Sequence, residues 1–297
     1  MDTLETVINN YLEYCNSQKC LDEKTLKAYR IDLRQFSEQI SIINIAEITS
    51  KTLEQYIARL HEQYKPKTVK RKIASVKALF HYLEYKDIID HNPFSKILIH
   101  FREPVILPKT IPLHTVETFL STIYKQQENA KTSYQKRNAL RDAAVAELLF
   151  ATGMRISELC SLKINDLNLY DGTILIYGKG DKERIVYFDA RTKIHLQNYL
   201  QERVDDNPAL FVGLKFPYNR LEIGGVESRL KKLGETIQVE KVHPHKFRRT
   251  MATTAIDKGM PIEQVQKLLG HEKIDTTLHY AMVKQSNVKN AHRKYIG

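Results

Sequence analysis

Apolar residues recur at every third and fourth position over most of the first hundred residues. Leu4, Val7, Ile8, Tyr11 and Leu12 make one stripe, Leu26, Tyr29, Leu33 and Phe36 a second, and Leu53, Tyr56, Ile57 and Leu60 a third. Each follows the period that lines one face of an α-helix, so this region predicts amphipathic helices around a shared core. A fourth helix, over about 66–85, opens on Pro66, which a first helical turn tolerates, and turns Val69, Ile73, Val76, Leu79, Phe80 and Leu83 inward.

The period fails over 92–112 (NPFSKILIHFREPVILPKTIP), where four prolines fall in one stretch. This places a linker over 103–112, between an all-helical domain at 1–102 and a second domain at 113–297. Helical spacing resumes at 113–128 and 138–151, the latter so rich in apolar residues (Ala143, Ala144, Ala146, Leu148, Leu149, Phe150) that it predicts a core helix. The period then changes. Residues 173–177 (TILIY) and 184–188 (RIVYF) are β-branched and aromatic, and Gly178-Lys179-Gly180-Asp181-Lys182 between them signals a hairpin, with 236–242 a candidate third strand. Further helices are expected at 190–204, 222–235, 246–258 and 261–269, and Asp275 is placed to cap a last one with Tyr280 in its second turn. The fold class is therefore mainly α with a small antiparallel β-sheet.

Charge adds a partner. The chain carries 46 Lys+Arg against 35 Asp+Glu, a net +11, which favours a polyanion. Through residue 106 the balance is 16 basic to 14 acidic, and beyond it 30 to 21, so the second domain holds most of the excess. On the fourth helix Lys65, Lys67, Lys70, Arg71, Lys72 and Lys77 occur with no acid between Glu62 and Glu84, a candidate phosphate-contacting face. No apolar run approaches the eighteen or so residues of a membrane span, and the amphipathic, acidic N-terminus is unlike a signal peptide; a cytoplasmic location is expected. Cys15, Cys20 and Cys160 suggest neither a disulfide framework nor a zinc site.

The reactive side chains gather in HPHKFRRTMATTAIDKGMPIEQVQKLLGHEKIDTTLHYA, residues 243–281. His245 and Arg248 lie three apart on one predicted helical face, His271 follows Gly270, and Tyr280 comes nine residues later. A guanidinium, two imidazoles and a phenol on three short consecutive helices suit holding a phosphate and attacking it. Upstream, Arg155 sits in the Gly turn of ATGMRISEL, where Glu158 is a possible partner, and Lys179 or Lys182 at the hairpin is a candidate proton donor.

The spacing H-x-x-R, then LLGH, then H-Y, with an upstream Arg turn and a G-K-G hairpin, resembles the tyrosine recombinases, the integrase-like DNA breaking and joining enzymes. The resemblance spans nearly the whole chain. It implies an N-terminal helical core-binding (SAM-like) domain that clamps DNA and a C-terminal catalytic domain. It also implies the catalytic set Arg155, Lys179, His245, Arg248, His271 and the nucleophile Tyr280, with Lys182 and Arg249 near backbone phosphate. A phenol of ordinary pKa near 10 is a poor nucleophile at neutral pH, so concentrated positive charge is needed. The resemblance further implies a 3′-phosphotyrosyl intermediate, no metal or cofactor, and a tetramer assembled on two double-stranded DNA sites through a Holliday junction. A second recombinase or accessory protein is a further possible partner. Residues Val283, Val288, Ala291 and Tyr295 would form a tail helix docking on a neighbour or on its own domain. The economy of two domains resembles Xer-type members, while HKFRRT departs from the usual pattern in having Phe247 and Arg249. Two rival classes share much of this pattern, a catalytically silent DNA-binding protein and a type IB topoisomerase. A metallohydrolase built on His243, His245, His271 and His279 is more remote, because no carboxylates accompany them at ligand spacing.

Overall fold

The computed structural model describes residues 3–99, 110–178, 183–239, 242–278, 280, 292–293 and 296. The chain divides into two compact units, 1–105 and 106–297. Most of the expected linker, and the expected tail contacts of Val283, Val288, Ala291 and Tyr295, lie outside the described residues.

The first unit is four helices, α1 (Leu4–Ser17), α2 (Glu23–Ile40), α3 (Ser50–Gln63) and α4 (Pro66–Tyr85). Side-chain oxygens open the first three: Thr3 accepts from the N–H of Thr6, Asp22 from that of Thr25, and Thr49 and Thr52 cap each other reciprocally. Each supplies an acceptor to an N–H that the helix leaves unpaired. The four stripes meet in one core, where Phe36 packs edge-on to Tyr56 and Phe80, and Leu53, Val69, Val76, Leu79 and Leu83 are fully buried.

One residue of the basic face of α4 is not on that face. Lys72 is 2 % exposed and donates to Asp32 Oδ1 at 3.2 Å and to Gln35, with its ammonium 4.9 Å from the Tyr64 ring centre. Asp32 is itself buried and is also held by Arg71 and, at 3.0 Å, by the Ser75 hydroxyl. A buried carboxylate needs such partners, and supplying them withdraws Lys72 from any outside ligand. Lys65, Lys67, Lys70, Arg71 and Lys77 are exposed, although Arg71 divides its guanidinium between solvent and Asp32.

The second unit is built around α6 (Ser133–Thr152), which packs against α5 (Leu113–Glu128), α8 (Ala190–Gln201) and α10 (Pro244–Asp257). Its residues 139–149 are buried without a break, as expected of a core helix. It begins at Ser133, not 138, because Thr132 and Gln135 form a capping box ahead of an exposed first turn. The sheet is antiparallel, in the order β1 (Leu167–Asn168), β2 (Thr173–Tyr177), β3 (Glu183–Tyr187). Its inner face carries Ile174, Ile176 and Val186, while Tyr177, Ile185 and Tyr187 point outward. The third strand is thus Leu167–Asn168, and the described part of 236–242 takes another course: Thr236 ends α9 (Ile223–Thr236) and Val242 is buried in the core.

Between the core helix and the sheet lies the short helix α7 (Ile156–Ser161). The chain closes through α10, α11 (Ile262–Leu269) and α12 (Ile274–Leu278). Asp275 lies within the first turn of α12, not before it. Tyr280 stands beyond the last helical residue, its N–H donating to Thr277 O at 2.8 Å. No described helix is long and apolar enough to cross a membrane.

Candidate active site

Two left-handed glycines set the frame. Gly153 ends α6 at φ +59, and a Cβ there would come within 2.1 Å of the Met251 methyl. Gly270 ends α11 at φ +64, where a Cβ would lie 3.0 Å from the Arg184 side chain. Both conformations suit glycine, and a side chain at either position would push its neighbour, Met251 or Arg184, out of place.

Arginines are held against these turns. Arg248, on α10 and 4 % exposed, donates to Gly153 O at 2.8 Å, to Leu269 O at 2.7 Å and to His271 Nε2 at 2.8 Å. Arg155, which precedes α7, donates to Gly270 O at 3.2 Å and to Glu158 Oε1 at 2.9 Å, while its backbone N–H reaches Glu158 Oε2 at 2.7 Å. The turn 269–271 therefore receives both guanidiniums. His245, on the outward side of α10, is exposed, as is Arg249. The two groups of H-x-x-R thus share a helix turn yet differ in burial.

A third guanidinium joins them that the motif reading did not single out. Arg184 of β3 grips Glu158 with two parallel hydrogen bonds of 2.9 and 2.7 Å, and its Nε donates to Leu268 O at 3.1 Å. This bidentate pairing fixes β3 to α7 and to the end of α11. A cation inside the apolar run RIVYF was the available signal. Glu158 does pair with Arg155, as its spacing allowed, but it holds Arg184 as well.

The electrostatics follow from this crowding. Desolvation, then Arg155, pushes Arg248 down to about 10, where it still carries its charge at neutral pH. Desolvation and the guanidiniums of Arg248, Arg155 and Arg184 push His271 down to about 4. His245 is likewise lowered, by desolvation and then by Arg248 and Arg249. Both imidazoles are neutral at pH 7 in this DNA-free arrangement.

His271 connects the arginines to Tyr280. Its ring stacks on the phenol with centres 5.9 Å apart and planes 25° from parallel, and its Nδ1 lies 2.9 Å from Thr277 Oγ1. The half-buried Tyr280 rests on the small cluster of Met251, Ala252, Val265 and Leu269. Arg155, Arg184, His271, Lys267 and Lys273 line a cleft of about 1080 Å³. The cleft presents forked guanidinium donors, two ammonium groups and a ring nitrogen, the kind of donor set that suits a phosphodiester.

Lys179 and Lys182 lie outside the described residues, and so does His279. The residues that bracket the hairpin tip, Tyr177, Gly178 and Glu183, line the same cleft. Among the described residues no three His, Cys, Asp or Glu are grouped to hold a metal ion.

Comparison with known proteins identifies the family. Residues 119–287 match the phage integrase family, and residues 8–86 match the phage integrase N-terminal SAM-like domain. A tyrosine recombinase of Agathobacter rectalis is 53 % identical over 296 residues, covering 98 % of this chain and 96 % of that one. Tyrosine recombinase XerC of Oceanobacillus iheyensis is 31 % identical, covering 99 % and 97 %. Among solved structures, XerH site-specific recombinase in a post-cleavage complex with palindromic difH substrate shares the fold. Its TM-score is 0.77 at 23 % identity, over 96 % of this chain and 84 % of that one. The chain belongs to the phage integrase family, the tyrosine recombinases, enzymes that break and rejoin DNA at specific sites.

Proposed function

We propose that Tyr280 is the nucleophile of this recombinase and that Arg155, Arg248, His271, His245 and Lys179 serve the phosphate it attacks. The observation that carries this reading is a convergence: both arginines donate to the turn 269–271, and His271 in that turn touches both Arg248 and Tyr280. Arg155 and Arg248 take the two non-bridging oxygens, and their charge stabilises the pentacoordinate transition state. The Tyr280 oxygen forms a bond to phosphorus as the bond to the 5′-oxygen breaks. The neutral His245 receives the phenolic proton, and Lys179 protonates the leaving 5′-oxygen. The product is a 3′-phosphotyrosyl ester, which attack by another 5′-hydroxyl resolves into a rejoined strand.

Double-stranded DNA is the partner, and the cytoplasm its setting. The exposed cations of α4, Lys65, Lys67, Lys70, Arg71 and Lys77, contact backbone phosphates, joined by Lys182 and Arg249 of the second unit. Exchange between two sites requires four protomers, with a second recombinase or accessory protein where the sites are unlike.

The test is a denaturing gel for protein covalently joined to DNA, using nicked duplexes from the DNA flanking the gene, with EDTA present. Wild type gives a DNA-linked band, and Tyr280→Phe gives none while still retarding DNA on a native gel. An adduct that survives Tyr280→Phe rejects the assignment. Retarded DNA with no adduct for wild type favours silent binding.

A further inference from the structure

Arginine has five N–H donors and no acceptor. Because Arg248 Nη2 lies 2.8 Å from His271 Nε2, that ring nitrogen is the acceptor, and the ring's one proton is on Nδ1. There it meets Thr277 Oγ1 at 2.9 Å. The other tautomer would set two donors face to face, and so would the imidazolium. Thr277 is 0 % exposed, so its hydroxyl meets this proton without competing water. The turn below the ring is fixed as well, since His271 N and O exchange hydrogen bonds with Gln266 O and Nε2 at 3.1 and 3.0 Å.

In the reaction proposed above, His271 serves the phosphate as a hydrogen-bond donor, and the arrangement seen here does not yet allow that. To donate to a phosphate from Nε2, the ring must carry a proton it does not have here. We propose that Thr277 is the positioning residue of His271: it holds the proton on Nδ1 throughout, so that the ring takes up its second proton, from solvent, at Nε2 when the phosphate draws Arg248 away. DNA binding at the cleft is then coupled to uptake of one proton by His271. The inference rests on the reading of Tyr280 and His271 given above.

The groups that face the ring are Arg248 from α10, Arg155 ahead of α7, Glu158 from α7, Arg184 from β3, and Tyr280 beyond α12. Their balance is cationic, which keeps the ring neutral before DNA arrives. A phosphodiester adds a negative charge within reach of Nε2 and loosens the Arg248 contact, and both changes favour the imidazolium. Thr277 Oγ1 accepts the Nδ1 proton in either state, so the ring keeps its orientation while its charge changes.

The experiment measures the rate of adduct formation on the nicked duplex from pH 5.5 to 9 for wild type, Thr277→Ser, Thr277→Val, His271→Ala and the double variant Thr277→Val/His271→Ala. Thermal melts verify folding. Wild type and Thr277→Ser are expected to share a rate and a limb that falls as pH rises. Thr277→Val loses about tenfold or more, the scale seen when an orienting partner is removed. Its falling limb moves to lower pH, because the imidazolium has lost an acceptor. In the His271→Ala background Thr277→Val has no further effect, and that limb is absent. Equal rates and limbs for wild type and Thr277→Val, with His271→Ala impaired, overturn the role of Thr277 and leave the active-site reading standing. Equal losses in Thr277→Ser and Thr277→Val also overturn it, since the hydroxyl would then be irrelevant. Wild-type rates for His271→Ala or Tyr280→Phe reject the active-site reading itself.

Discussion

Glu158 is one carboxylate serving two guanidiniums. Burial alone raises its pKa, but the fork and charge of Arg184 and the backbone and side-chain hydrogen bonds of Arg155 outweigh it and leave the group below the usual carboxylate value. A folded-state pKa held down in this way stabilises the protein fully above the unfolded value, about 4.3, and the contribution is lost as pH falls through the folded one. Glu158→Gln keeps the shape and one acceptor while removing the charge that two arginines share. It is expected to destabilise by about 2–3 kcal/mol, less than the removal of one partner from a wholly buried pair. The reason is that the Arg155 side chain is 37 % exposed. Melts of wild type and variant should differ most near neutral pH, and the gap should shrink only as pH falls below the unfolded value of about 4.3 and through the lower native one. A constant gap across that range contradicts the assignment of this ion pair. Adduct formation should also fall, because Arg155 would lose the anchor that aims it. The pairing of Glu158 with Arg155 was legible, since the two lie three residues apart. The grip of Arg184, 26 residues away, was not, because strand-to-helix contacts leave no periodic trace.

Among the elements, α4 separates what a charge run reveals from what it hides. The stripe Val69, Ile73, Val76 predicted its buried face correctly, and Lys72 occupies that same face, three residues after Val69 and four before Val76. Its spacing therefore already pointed inward. What the sequence lacked was the partner, because Asp32 sits on α2, forty residues away. Lys67 and Lys77 remain on the outer side. Alanine at either should lower the slope of log affinity against log salt by about 0.9 in DNA titrations, with little change in melting temperature. Lys72→Ala should do the reverse: the slope holds and stability falls by about 2 kcal/mol, as Asp32 keeps only Arg71 and Ser75. A Lys72→Ala protein that melts normally but loses salt dependence would return Lys72 to the DNA face. Elsewhere long stripes and strong hairpin signals located their elements, while short ones escaped. β1 has two residues, too few for any alternation to register. The polar first turn of α6 concealed its start from a reading of apolar spacing, although Thr132 and Gln135 stood at capping-box separation.

Across the whole chain, every residue proposed for chemistry falls within 106–297, the unit that also holds 30 of the 46 basic residues and most of the net charge. The first unit, 1–105, offers a basic helix and a well-packed core but none of the proposed reactive groups. The residues proposed for chemistry could be named, in order, because motif spacing survives in one dimension. Their hydrogen-bond partners were not, because Gly153 O, Leu269 O and Thr277 Oγ1 reach the site only through the turns between helices. If the division of labour is as proposed, separating the units between residues 100 and 109 has a specific consequence. The 110–297 piece should form the Tyr280-dependent adduct at high DNA concentration, with weaker binding and a shallower salt slope than the full chain. The 1–99 piece should bind DNA weakly and form none. The loss of affinity reflects the missing second attachment, since two linked modules raise each other's effective concentration on one duplex. An adduct yield at saturating DNA equal to that of the full chain would place the first unit in binding alone. A folded 110–297 piece that binds DNA but never links to it would show that the site needs the first unit to become active.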